Sequence, residues 1–136
     1  MSDPIEKIKG MTAELASKFQ ASGITNTDEL LENARTPHQR TELSHKVGVT
    51  AVAIKEFANR ADLMRLNGVG GDLSNLLEEA GVNSCKELQH RVAEHLHKTL
   101  VELNASRHIA HHVPPTAWIQ DWITEAKTLS QTAPED

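Results

Sequence analysis

Residues 63–82 read LMRLNGVGGDLSNLLEEAGV, and their spacing decides the fold. Leu63 and Leu66 stand three apart, as on one face of a helix. Asn67–Gly68–Val69–Gly70–Gly71 then breaks the regular pattern, because glycine admits the left-handed backbone that a tight turn needs. Leu73, Leu76, Leu77 and Ala80 follow at i, i+3, i+4 and i+7, the apolar face of a second helix. Gly81 closes that helix at the position where a left-handed residue commonly ends one. The stretch reads as helix, glycine turn, helix, and Val69 is the apolar residue that ties the turn to a core.

The same reading recurs earlier in the chain. At an offset of 58, Gly10 aligns with Gly68, Leu15 with Leu73, Gly23 with Gly81, Ile24 with Val82, Glu29 with Glu87 and Leu30 with Leu88. At a longer offset of 65, Ile54 aligns with Ile119, Phe57 with Trp122 and Ala61 with Ala126. An internal repeat of this length implies two copies of one supersecondary unit, the second carrying a seven-residue insertion around ASRHIAHH, 105–112. The expected organisation is a first helical repeat over 1–61, with its turn at 10–12, and a second over 62–129, with its turn at 68–71. The segment SQTAPED, 130–136, has little to bury and is expected to be a flexible tail.

Helix punctuation is clear elsewhere. Pro4 after Asp3 suits a first turn, and Thr12 is placed to cap a helix running to about Ser22. Thr27 is expected to cap a short helix from Asp28. Thr36–Pro37–His38–Gln39 has the spacing of a capping box and opens a helix ending at Gly48. Thr50 caps a helix to about Arg60, and a separate short helix is expected over Ala61–Leu66. Ser84 caps another, a longer one spans about Ala93–Ser106, and Pro114–Pro115 start the last, which ends near Leu129. There Trp118, Ile119, Trp122, Ile123 and Ala126 read as one face. No stretch alternates with period two, so the fold class is all-α, with two tandem repeats packed as one compact helical unit.

Composition agrees. Hydrophobic residues make up 38% of 136, but aromatics only 3%, and Tyr is absent, so the core is aliphatic, as in helix packing. Residues 1–65 carry nine Lys/Arg and nine Asp/Glu; residues 66–136 carry five and ten, which places the whole net charge of −5 in the second half. A nucleic-acid binder usually carries excess cations instead. The single Cys85 excludes an intramolecular disulfide. The opening MSDPIEKIKG has no apolar signal core, and no apolar run approaches the ~20 residues of a membrane helix, so a cytoplasmic protein is expected.

Leu63, Leu66, Gly68, Val69, Gly70 and then Ser74 resemble the helix-hairpin-helix motif. Ile5, Ile8, Gly10, Met11, Thr12 and Ala16 match it with Thr in place of the second glycine, and Val47–Gly48–Val49–Thr50 is a weaker third candidate. With its continuation, EFANRADLMRLNGVGGDLSNLLEEAGVNSCKEL…LVELN…PPTAWIQDWITEAKTL, nearly the whole chain resembles a bacterial family of tandem helix-hairpin-helix proteins known as a domain of unknown function. The resemblance implies the fold and no activity. In helix-hairpin-helix proteins the turn typically holds a nucleic-acid phosphate on free helix amides. Here Lys7, Lys9, Gly10, Thr12, Arg65, Gly68 and Gly70 are the corresponding candidates. Against that, Glu14 and Asp72 each place a carboxylate at the helix start after the turn, where it would repel a phosphate and complement the helix dipole.

Other residue groups carry weaker chemistry. His108, His111 and His112 have i, i+3, i+4 spacing, so on a helix they would face one metal ion such as Zn²⁺ or Ni²⁺; a surface run inside the insertion is the plainer reading. Cys85 at a helix start has a position that can lower a thiol pKa; a small semi-buried filler is the plainer reading. Asp62, between Arg60 and Arg65, reads as a cap or ion-pair partner. Trp118 and Trp122 are either core or an exposed anchor for a partner. No nucleophile elbow, phosphate loop, Cys-x-x-Cys or His-Glu metal motif is present. The reading is a non-catalytic module without cofactor that binds a protein partner or a second copy. Sequence-independent DNA-backbone binding by the turns is the alternative, and a metal- or pH-responsive regulator the lesser one.

Overall fold

The computed structural model describes residues 2–136. Its helices are α1 (Ala13–Ala21), α2 (Thr27–Asn33), α3 (Pro37–Val47), α4 (Ala51–Leu63), α5 (Gly71–Glu79), α6 (Cys85–Leu88), α7 (Ala93–Arg107) and α8 (Thr116–Leu129). Single 3-10 turns lie at Ile5–Lys7 and Ser130–Thr132. There is no strand among the described residues, so the protein is all-α.

Local chemistry accounts for most helix starts. Thr12, Asn26, Thr36, Thr50 and Ser84 each accept a hydrogen bond from the amide three residues on, which satisfies one of the unpaired amides of a helix N-terminus. Thr36 and Gln39 complete the reciprocal capping box. One expected cap is displaced by a residue. Asn26 caps α2, and Thr27 instead accepts the Asp3 amide through Oγ1 at 3.1 Å, joining the start of the chain to α2. Nor is there a separate helix over 61–66. The helix from Thr50 runs unbroken to Leu63, because Ala61 and Leu63 are fully buried and continue its apolar face.

Two cores divide the chain. The first gathers Ile5, Phe19, Leu30, Ile54 and Phe57, with the Phe19 and Phe57 rings edge to face at 6.3 Å between centroids. The second gathers Leu63, Leu76, Leu77, Leu96, Ile119 and Trp122. Each fully buried aliphatic or aromatic side chain contributes about 1.5–3 kcal/mol, so each core supports its own helices. Helix α4 belongs to both, since Ile54, Phe57, Ala58 and Ala61 lie in the first core and Leu63 in the second.

Polar contacts clamp the halves together. Arg60 of α4 donates Nε and Nη2 to the two carboxylate oxygens of Glu78 on α5, at 3.0 and 2.9 Å. Its Nη1 reaches the Lys9 carbonyl at 3.1 Å, and its guanidinium lies 5.8 Å from the Phe57 ring centroid. The segment 130–136 departs from the expected flexible tail. Ala133 is buried, the Glu135 amide donates to the Arg35 carbonyl at 2.8 Å, and the buried Arg40 donates to the Glu135 carbonyl at 2.6 Å. Arg40 also holds the Ala34 and Arg35 carbonyls, so this strap closes the hydrogen bonding of a buried cation.

Candidate functional site

The second glycine turn is internally occupied. Gly68 takes φ +89°, and the buried Val69 donates its amide to the Leu66 carbonyl at 3.1 Å. The Asn67 carbonyl accepts the Trp122 indole N–H at 2.8 Å. The Asn67 amide faces the Glu125 carboxylate at 3.3 and 3.4 Å. A protein carboxylate therefore stands beside this turn, and Asp72 is exposed in the first turn of α5.

The cation expected at this turn, Arg65, is committed elsewhere. Arg65 pairs with the fully buried Asp62 and donates to the Leu129 carbonyl at 3.0 Å and to Thr132 Oγ1 at 2.8 Å. Asp62 also accepts the Cys85 amide at 2.8 Å, so its two oxygens bind the turn to the start of α6. Arg60, on the last turn of α4, is held by Glu78. The placement of Arg65, Gly68 and Gly70 on one turn stands, but Arg65 does not project into solvent as a phosphate ligand would.

Gly70 and Gly71 differ in what surrounds them. A Cβ at Gly70 would meet nothing within 4 Å. One at Gly71 would lie 2.5 Å from the Lys7 carbonyl oxygen. The backbone of the first turn thus packs directly on the start of α5, and the fourth residue of Gly68–Val69–Gly70–Gly71 is the one that permits it.

The first turn is more open. Gly10 takes φ +87°, the Met11 amide donates to the Ile8 carbonyl at 3.0 Å, and Thr12 caps α1. Lys7 and Lys9 are exposed on either side of Ile8 and form no ion pair among the described residues. At the third turn, Gly48 has φ +75° and Lys18 Nζ lies 3.9 Å from where its Cβ would stand. That amine is also 3.9 Å from Glu14.

The two tryptophans separate. Trp122 is buried, which removes it from the expected partner contacts, whereas Trp118 is 55% exposed. A residue four positions before Trp122 shares its face only approximately, and α8 is turned so that Ile119, Trp122, Ile123 and Ala126 carry the core contact. Between Trp118 and the second turn lies a cleft of about 210 Å³, lined by Asn67, Gly68, Trp118, Asp121, Trp122 and Glu125.

The histidine reading is corrected. Helix α7 stops at Arg107, and His108 is its left-handed cap at φ 51°. His111 and His112 lie in irregular chain, with ring centroids 6.4 Å apart, so the helical spacing that would converge three rings does not exist. Among the described residues no three His, Cys, Asp or Glu side chains gather to hold a metal ion. Cys85 is likewise no activated thiol. Burial pushes its pKa up, and the neighbouring Asp62 charge adds to that, outweighing the helix start.

The fold and these turns define a small all-helical protein. The chain belongs to the family described as Domain of unknown function (DUF4332), whose model matches residues 9–129. Comparison with curated proteins and with solved structures finds no match. Among the described residues, no helix is long and apolar enough to cross a membrane.

Sequence reasoning missed Asp121 and Glu125. Their signal was present, because 118, 121, 122 and 125 follow helical spacing, but they line a cleft only once Asn67 packs against α8.

Proposed function

We propose that this chain is a non-catalytic binding module that docks a protein partner on the outer face of α8, beside the second glycine turn. The exposure of Trp118, at 55%, carries the reading. The chain has two Phe, two Trp and no Tyr, and Phe19, Phe57 and Trp122 are all buried. Leaving the fourth aromatic in water forgoes the largest burial term available to a side chain. Tryptophan at a surface beside a cleft is a typical anchor of protein interfaces. The buried ionisable groups are tied into structural contacts, Asp62 with Arg65 and the Cys85 amide, which favours binding over catalysis.

The two halves are read as tandem helix-hairpin-helix units, 1–61 and 62–129. Supporting this, Gly10 and Gly68 have φ +87° and +89°, and Gly23 and Gly81 have +85° and +88°. The starts of α1 and α5, at 13 and 71, and of α2 and α6, at 27 and 85, keep the sequence offset of 58.

A photo-cross-linking residue placed at Trp118 tests the docking face, with Val101, 43% exposed on α7, as the control position. Cross-links to a defined protein, or to a second copy, from 118 and not from 101 are expected. Equal yields from both positions would overturn the assignment.

A second reading, backbone binding of DNA, is favoured by Lys7 and Lys9 beside the open first turn. It requires salt-sensitive DNA binding that Lys7→Glu with Lys9→Glu abolishes. Binding unchanged by that pair would sink it.

A further inference from the structure

We infer that the partner presents an arginine side chain to the cleft between Trp118 and the Asp121–Glu125 pair. This rests on the docking reading above and names the chemistry of the occupant.

Asp121 and Glu125 lie four residues apart on α8, where like charges disfavour a helix by about 0.2–0.5 kcal/mol. Among the described residues neither forms an ion pair, and Glu125 has only the long contact to the Asn67 amide. No Lys or Arg lines the cleft. The half of the chain that carries it holds five Lys/Arg against ten Asp/Glu, so the field there favours an approaching cation.

Size and shape narrow the choice. A volume of about 210 Å³ accommodates one long side chain, not a folded element. Trp118 supplies an aromatic face on which a cation rests favourably. A planar guanidinium uses both features, because it stacks on indole and donates to carboxylates in parallel, whereas an ammonium acts as a point charge. The Trp122 indole N–H is already bonded to the Asn67 carbonyl, so the floor of the cleft is fixed before anything enters.

The test is an NMR titration of the full ¹⁵N-labelled chain with N-acetyl-arginine methylamide, against the neutral isostere N-acetyl-citrulline methylamide. Saturable shifts of the Trp118 indole N–H and the Asp121, Glu125 and Asn67 amides are expected with arginine and not with citrulline. Trp118→Ala, and Asp121→Asn with Glu125→Gln, should each weaken that binding by about fivefold. Glu94→Gln with Glu102→Gln, on exposed α7 positions, should leave it unchanged. Equal response to both ligands, or shifts that follow Glu94 and Glu102 as much as Asp121 and Glu125, would overturn the inference. If position 118 cross-links a partner while arginine does not bind the cleft, the docking face stands and the occupant is wrong. If neither result appears, the docking reading itself fails.

Discussion

Gly70 and Gly71 are adjacent and do different things. At Gly71 the Lys7 carbonyl oxygen occupies the place of a Cβ, at 2.5 Å, and a backbone atom cannot rotate away. Helix propensity alone would make alanine better there by about 0.5–1 kcal/mol. The clash reverses that sign, so Gly71→Ala should cost roughly 1–3 kcal/mol in urea denaturation. Gly70→Ala meets open space and should change stability by less than about 1 kcal/mol. Cys85 gives a second residue-level expectation. Its buried thiol, pushed up by burial and then by Asp62, should stay unmodified by a thiol reagent at mildly alkaline pH until denaturant is added. Rapid labelling of the native chain would contradict the burial argument.

At the scale of elements, the strap 130–136 and α3 depend on each other. Arg40 sits in α3, is buried, and directs four hydrogen bonds at the Ala34, Arg35, Glu135 and Asp136 carbonyls. Burial pulls its pKa down, opposed by the carboxylates of Glu135 and Asp136. Ending the chain at Thr132 removes two of those acceptors and uncovers the guanidinium. A loss of about 1–3 kcal/mol is expected, read as a lower denaturation midpoint at unchanged slope. An unchanged midpoint would mean that the strap lies on the surface without holding it. Expecting this strap from SQTAPED alone was not feasible, because its partners are carbonyls and a cation about ninety-five residues away.

At the scale of the whole molecule, the two cores are joined by helix α4 and by the Arg60–Glu78 ion pair. Both tryptophans belong to the second half, so their fluorescence reports that half alone, while far-UV circular dichroism reports all helices. In the parent chain the two signals should change together on denaturation. Glu78→Gln weakens the Arg60 clamp, a part-exposed charged pair contributing about 1–3 kcal/mol at most. The two transitions should then separate, since each core retains its own apolar contacts. Coincident transitions at a lower midpoint would show that the halves stay coupled without the Arg60 clamp, through α4, the 130–136 strap and the Lys7–Gly71 packing.

The sequence by itself determined most of the helices and turns, the cap of α2 and the length of α4 apart. Thr12, Thr36, Thr50 and Ser84 cap where their spacing placed them, and Gly10, Gly48 and Gly68 turn left-handed where the pattern required it. These are contacts within a few residues, so local chemistry settles them. Only the tertiary structure decided which groups remain free to act. Arg65 disappears into Asp62, Leu129 and Thr132, Trp122 into Asn67, and Glu125 takes its place beside the turn. The histidine spacing lost its meaning because α7 ends at Arg107, before any of the three histidines. A motif fixes the path of the backbone through short-range geometry; the groups left free at its tip depend also on contacts between residues more than fifty positions apart, as Asn67 with Trp122 and Glu125.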